Sequence, residues 1–124
     1  MSSALVLLAH GARDPEWRAP FDAMRREVAQ RLPDARVELA FLELMEPRLE
    51  AALTCLAEEG VTRITLAPLL LAPGGHLKQD LPARLEGFFR RFPHVLLRVT
   101  PALGEVQELQ GAIAEWVCAQ YCRP

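Results

Sequence analysis

No apolar run in these 124 residues approaches the ~20 that a membrane-spanning helix needs. Neither sign of charge dominates: the formal net charge is −2, which removes any global electrostatic case for nucleic acid or an anionic membrane as partner. The N-terminus shows no basic segment and no cleavage site around its first apolar run, so no signal peptide is expected and the cytosol is the default compartment. Cysteine is scarce. Three residues, an odd number without a Cys-x-x-Cys, argue against a disulfide framework. Cys55 falls in a helical stretch and reads as a small buried apolar residue. Cys118 and Cys122 share one face of the last helix, with no further pair to complete a metal or cluster site. The Walker pattern with its Gly-Lys-Ser/Thr end is missing, which removes a phosphate loop. No linker or low-complexity tract divides the sequence, so one domain over residues 1–124 is expected.

Hydrophobic residues make up 51% of the sequence, enough to pack a core. They fall in a strand–helix alternation. Residues 4–9 form an unbroken apolar run, the pattern of a strand buried on both faces. The tight loop His10-Gly11-Ala12-Arg13 follows. Asp14-Pro15 then supplies an N-cap and a first-turn proline for a helix reaching Leu32. Phe21, Met24, Val28 and Leu32 keep the spacing of one buried face. Residues 35–42 read as the second strand. Glu46-Pro47 opens the second helix, with Leu49, Ala52, Leu53 and Leu56 inward and Gly60 as its stop. The third strand is expected over 63–71, with Pro68 near its end or at a distortion, because proline cannot donate to a central ladder. A helix from 77 or 78 to 91 tolerates Pro82 only in its first turn. Residues 94–100 are the fourth strand and 105–121 the last helix. This alternation predicts an α/β three-layer sandwich with a four-stranded, mostly parallel sheet. Analogy with flavodoxin-like sheets gives the order 2-1-3-4, with all strand C-termini on one edge.

His10, Glu43 and His76 each stand just past a predicted strand, and 33 residues separate each from the next. That interval is about one βαβ unit, ~30 residues. In the 2-1-3-4 order the first strand lies between the second and third. His10 is then flanked by Glu43 on one side and the His76 loop on the other, at the edge where open α/β sheets bind ligands. Two imidazoles and a carboxylate suit a divalent transition metal and leave coordination positions vacant. Singly, each residue has a plainer reading: a loop histidine, or for Glu43 a solvated charge or a partner of Arg13. Their shared edge favours the functional one. His94 precedes the fourth strand and belongs at the opposite edge, as a structural or exposed residue.

Gly11, Gly74 and Gly75 remove Cβ atoms where backbone turns sharply or meets a ligand closely; for Gly11 alone, ordinary turn chemistry suffices. Arg13, Arg18, Arg48 and Lys78 fall in βα loops or first helical turns, where the helix dipole disfavours cations. An acidic ligand accounts for them. Arg13 and Lys78 are closest to the histidines, whereas Arg18 and Arg48 read equally well as solvated charges.

The segments Leu-Ala-His-Gly-Ala-Arg-Asp at 8–14, Phe-Leu-Glu-Leu at 41–44 with Glu46-Pro47, and Pro-Leu-Leu-Leu-Ala-Pro-Gly-Gly-His at 68–76 with Lys78, Asp80 and Pro82 are specific in combination. Over nearly its whole length the chain resembles the short-form sirohydrochlorin cobaltochelatases of the CbiX type, relatives of sirohydrochlorin ferrochelatase and the class II chelatases. The resemblance implies a chelatase-like version of the fold. It implies a cytoplasmic homodimeric enzyme that inserts a divalent metal into sirohydrochlorin for cobalamin biosynthesis, without ATP. Co²⁺ is the first expectation for the metal, with Fe²⁺ or Ni²⁺ as alternatives and no cofactor beyond it. By motif match His10, Glu43 and His76 are the catalytic and metal-binding residues, with His10 also the proton acceptor. Glu46 and the loop Leu71, Ala72, Pro73, Gly74, Gly75 and His76 match tetrapyrrole contacts. Arg13 and Lys78 then have the carboxylates of the macrocycle as partners. Pro73 departs from the pattern, where a small residue is expected, and stiffens that loop. No histidine-rich tail is present to support metal storage.

Two readings compete. A histidine phosphatase carries an arginine directly before its nucleophilic histidine, and here that residue is Ala9. A metal or tetrapyrrole carrier on the same scaffold binds its ligand without accelerating insertion.

Overall fold

The computed structural model describes residues 3–72 and 77–123, Lys78 by its backbone alone. Strands β1 (Ser3–Ala9), β2 (Arg36–Phe41), β3 (Arg63–Pro68) and β4 (Leu96–Val99) form one sheet in the order β2-β1-β3-β4. Every pairing is parallel. The order and direction are those the sequence predicts. β1 holds the inner position because it is apolar on both faces, and its residues 6–9 are all buried.

The helices are α1 (Ala19–Arg31), α2 (Leu49–Glu58), α3 (Leu77–Arg84), α4 (Glu86–Arg91) and α5 (Gln107–Tyr121). On one sheet face Val6, Leu8, Ala40, Ile64 and Leu66 meet Leu49, Leu53 and Leu56 of α2, Leu81 and Leu85 beside α3, and Phe88 of α4. On the other, Leu7, Ala9, Val37, Leu39 and Phe41 meet Trp17, Phe21 and Val28. Burying one such Leu, Val or Phe side chain is worth about 1.5–3 kcal/mol, so these two clusters hold the layers together.

Several local expectations are corrected. The first helix opens as a 3₁₀ turn, Pro15–Arg18, capped by the Asp14 carboxylate accepting from Glu16 N–H at 2.9 Å. Pro20, with no N–H to return to Glu16, keeps that turn from being α-helical. The buried face expected of α1 is only half-covered: Phe21 and Val28 pack on the sheet, whereas Met24 and Leu32 are exposed. α2 begins at Leu49 rather than Glu46, but its four inward residues are buried and Gly60 ends it at φ +96°. β3 stops at Pro68, as its missing donor requires. Leu69 N–H bonds to Leu8 C=O at 2.7 Å, so Pro68 nitrogen faces the β4 side, where the ladder has already ended with Thr100 N–H on Leu66 C=O. Pro82 lies inside α3, beyond its first turn, and the helix restarts at Glu86. Buried Leu81 and Leu85 hold the segment against the loss of one hydrogen bond. Cys55 is exposed, on the outward side of α2. The last helix starts at Gln107 after a 3₁₀ turn, Leu103–Glu105, and none of its residues is buried. No helix among the described residues is long and apolar enough to cross a membrane.

Candidate functional site at the C-terminal rim of the sheet

The β1–β2 ladder does not stop where the strands do. Ala9 pairs with Phe41, then Leu42 N–H donates to Ala9 C=O and Glu43 N–H to His10 C=O, both at 3.0 Å. This continuation sets His10 and Glu43 side by side at the C-terminal rim. Their side chains meet, His10 Nε2 to Glu43 Oε1 at 2.8 Å, with both more than half exposed. An ionised carboxylate can only accept, so Nε2 carries the hydrogen of this bond. In a neutral ring the lone pair is then on Nδ1, the arrangement by which carboxylates orient metal-binding histidines.

Two backbone features make the approach possible. Gly11 sits at φ +102°, and a Cβ there would lie 1.8 Å from the Glu43 carbonyl oxygen. Its absence of a side chain is therefore a condition of the pairing, beyond the turn chemistry that the sequence already allowed. Leu44 adopts φ +67°, a conformation uncommon for a bulky residue. It bends the chain away directly after Glu43 and leaves the Leu44 side chain in solvent. The residues that follow line an open hollow of about 660 Å³, bounded by Leu44, Met45, Glu46, Arg48, Glu50 and Ala51. That volume lies within the ~300–1,000 Å³ usual for small-molecule sites.

Arginines brace this rim from behind. Arg84 donates to both Glu50 carboxylate oxygens, at 2.6 and 3.0 Å, and to Leu42 C=O at 2.5 Å. It ties α3 to the turn that carries Glu43. Burial pushes the Glu50 carboxyl up. The Arg84 hydrogen bond, a backbone hydrogen bond and the charges of Arg84 and Arg48 outweigh it and hold the group below its ordinary range. A carboxylate lowered in this way stabilises the fold fully above its unfolded pKa of about 4.3, and that contribution is lost as pH falls through the lower folded value. We expect Arg84→Met to flatten the acid limb of stability below about pH 4, read by urea unfolding at a series of pH values.

Arg18, one of four candidate cations, is already engaged. It pairs with Asp22, donates to Glu46 C=O at 3.1 Å and lies over the Phe41 ring. Arg13 is exposed on the loop after Gly11. Arg48 is exposed and lines the hollow. His94 is exposed against Phe92 at the opposite, N-terminal end of β4, as expected. The expectations placed on Pro73, Gly74, Gly75, His76 and the Lys78 side chain lie outside the described residues. Leu71 and Ala72, at the near end of that loop, are exposed. Among the described residues no third His, Cys, Asp or Glu joins His10 and Glu43 in a metal-holding group.

The sequence reading did not single out Arg84, Leu44 or Gly104. Arg84 looks like any helical arginine, and leucine gives no signal of a left-handed turn. Gly104 was legible only as a loop residue. A Cβ there would lie 1.5 Å from the Leu71 carbonyl oxygen, so the connection after β4 passes backbone to backbone across the start of the 71–76 loop.

A sequence model of the CbiX family matches residues 4–120. The chain belongs to the CbiX family. Among curated relatives, a sirohydrochlorin cobaltochelatase of Methanopyrus kandleri is 38% identical over 82 residues, 66% of this chain and 57% of that protein. A sirohydrochlorin ferrochelatase of Priestia megaterium is 33% identical over 92 residues, 74% of this chain and 35% of that protein. The chain thus spans less than two thirds of the length of either. A crystal structure of a putative cobalamin (vitamin B12) biosynthesis CbiX protein from Marinobacter aquaeolei superposes with a TM-score of 0.82 at 30% identity, covering 98% of this chain and 99% of that one.

Proposed function

We propose that this CbiX-family chain is a sirohydrochlorin chelatase, inserting a divalent metal into the macrocycle in the cytoplasm as a homodimer of single chelatase-like domains. The observation that carries the reading is the His10–Glu43 pair, 2.8 Å apart on the rim beside the Glu46-lined hollow. Co²⁺ is the metal we favour. Fe²⁺ is the alternative, because relatives named for cobalt and for iron match this chain comparably, and Ni²⁺ is a further one. No ATP and no cofactor beyond the metal enter the proposal.

Insertion must strip water from the ion, remove two pyrrole protons and bend the ring toward the metal. With Nε2 engaged by Glu43, His10 offers Nδ1 to the ion or to a departing proton. Glu43 keeps a second oxygen that offsets the dication and passes protons to water. His76 is the third ligand in this proposal, on its motif and its spacing. So few protein ligands hold the ion and still release it to four ring nitrogens. Glu46 and the 71–76 loop contact the ring. Arg13 and Lys78 take its carboxylates, with Arg48 as a third cation at the hollow; Arg18, committed to Asp22, does not join them.

The test follows the absorbance of sirohydrochlorin with Co²⁺, Fe²⁺ or Ni²⁺ in turn, with and without purified protein. Acceleration is expected with all three metals and is greatest with Co²⁺. Binding without acceleration above the spontaneous rate would replace this reading with the carrier.

A further inference from the structure

The bond between Glu43 and His10 joins two side chains that are each more than half exposed. An exposed pair of this kind does little to fix its own geometry. The peptide behind Glu43 does more. That peptide, joining Leu42 to Glu43, is held at both ends. Its N–H donates to His10 C=O at 3.0 Å. Its C=O accepts from Arg84 Nη2 at 2.5 Å. A trans peptide is planar, with its N–H and C=O on opposite sides. Two bonds placed so set the rotation of the plane, and with it the direction in which the Glu43 side chain leaves the backbone. The next residue, Leu44, holds φ +67°, an unfavourable conformation for leucine. Backbone there would relax if either bond were lost.

The guanidinium that makes the outer bond is itself fixed. The second hydrogen of Nη2 goes to Glu50 Oε1 at 3.0 Å, and Nε donates to Oε2 at 2.6 Å. A two-point grip on a carboxylate sets the plane of the guanidinium as well as its position. Glu50 lines the hollow. With both oxygens engaged by Arg84 it serves as the arginine's anchor. Leu81 and Leu85, on either side of Arg84 in the chain, are buried and hold this segment down. α3 begins at Leu77, the residue after His76. The clamp therefore reaches the Glu43 peptide from the helix that follows the third candidate donor.

We propose that Arg84 is a positioning residue for the metal: through the Leu42 carbonyl it holds the Glu43 carboxylate in the pose that meets His10, so that the pair is set before an ion arrives. Arg84 acts through Glu43 and contacts neither ion nor macrocycle. Donors already in place bind without the cost of being ordered. The proposal deepens the chelatase reading and rests on it.

The test titrates the full chain with Co²⁺ by calorimetry and measures kcat and the KM for Co²⁺ in sirohydrochlorin metallation. Arg84→Met, shown to be folded by circular dichroism, should weaken Co²⁺ binding and raise this KM by about 10–100-fold, the usual cost of losing a group that orients a metal ligand. kcat should stay within about threefold, because at saturation the bound ion orders the carboxylate itself. Arg84→Lys keeps the charge but cannot span Glu50 and the Leu42 carbonyl together, so its KM should lie between the two. Adding Glu50→Gln to Arg84→Met should cost little more, since Glu50 acts through the arginine. Arg90→Met, which removes an exposed ion pair with Glu86 on α4, should change neither value. A folded Arg84→Met protein that binds Co²⁺ as wild type does overturns the proposal. So does a fall in kcat with KM unchanged, or losses at Arg84 and Glu50 that multiply. If Arg84→Met does not fold, Arg84→Lys decides, and a wild-type KM there overturns it. Failure of the wider reading looks different: His10→Ala would then bind Co²⁺ as tightly as wild type, and this proposal would fall with it. Failure here alone leaves His10→Ala deficient and Arg84→Met intact.

Discussion

His10→Ala is expected to lower the turnover of sirohydrochlorin metallation by about 10²–10⁴-fold, the usual contribution of a positioned acid–base group. The loss should appear with each metal, because in the proposed mechanism the imidazole serves both the ion and the proton. Folding should be unaffected. His10 is more than half exposed, and the neighbouring ladder bond uses its backbone carbonyl, which alanine retains. Glu43→Gln separates the two roles. Its amide can still hydrogen-bond His10 Nε2, but it lacks the negative charge that in the proposed mechanism orients the imidazole and offsets the ion. A smaller loss than in His10→Ala is therefore expected, with a larger share in the apparent affinity for metal. His94→Ala serves as the control, since that ring lies at the other end of the sheet, and its turnover should stay within about twofold of wild type. A His10→Ala protein with near-normal rates would show that the rim pair is only structural.

Gly11→Ala should have the larger effect on the fold. The new methyl would overlap the Glu43 carbonyl oxygen at 1.8 Å, and φ +102° is unfavourable for any L side chain. Both strands end at this contact, so neither backbone can retreat without breaking the Glu43-to-His10 bond. We expect a loss of at least about 3 kcal/mol in urea unfolding, beyond the ~1–3 kcal/mol of a strained dihedral alone. Chelation should be lost as well under conditions where the variant is folded. Gly60→Ala calibrates the steric part. Gly60 has a similar φ, +96°, but nothing lies within 4 Å of its would-be Cβ. It should lose only the dihedral penalty, about 1–2 kcal/mol. Equal losses at the two glycines would remove the argument that close backbone approach builds the site.

The topology was legible because it depends on long patterns. β1 reads as an unbroken apolar run, α2 keeps its period through Leu56, and each strand is separated from the next by a helix-length interval. These repeat over enough residues that single exceptions do not matter. His10 and Glu43 were legible because the 33-residue interval and the parallel order act together: equal spacing in a βα repeat returns the chain to the same edge. What the sequence hid depends on single backbone choices or on tertiary partners. The left-handed turn at Leu44 breaks the usual preference for Gly or Asn. The clamp of Arg84 on Leu42 joins residues 42 apart in the chain, with no local pattern to mark it. Cys55 was misread because helical periodicity gives a face only to within a residue, and position 55 falls just outside the stripe of Ala52, Leu53 and Leu56. The apolar residues of α5 carry the same periodic signal as those of α2. The signal reports a face that wants cover, and it does not say which chain supplies it.

β1 is the first strand of the chain and lies inside the sheet, joined to β2 and β3. During synthesis it leaves the ribosome with neither neighbour yet made. α1 covers one face of a β1–β2 pair, but the face that Val6, Leu8 and Ala40 present stays open to water until α2 has been made. The rim that holds His10 and Glu43 therefore has its full support only when α2 and β3, which lies on the other side of β1, are in place. A nascent chain shorter than that should hold the two side chains of this edge less firmly than the finished domain does.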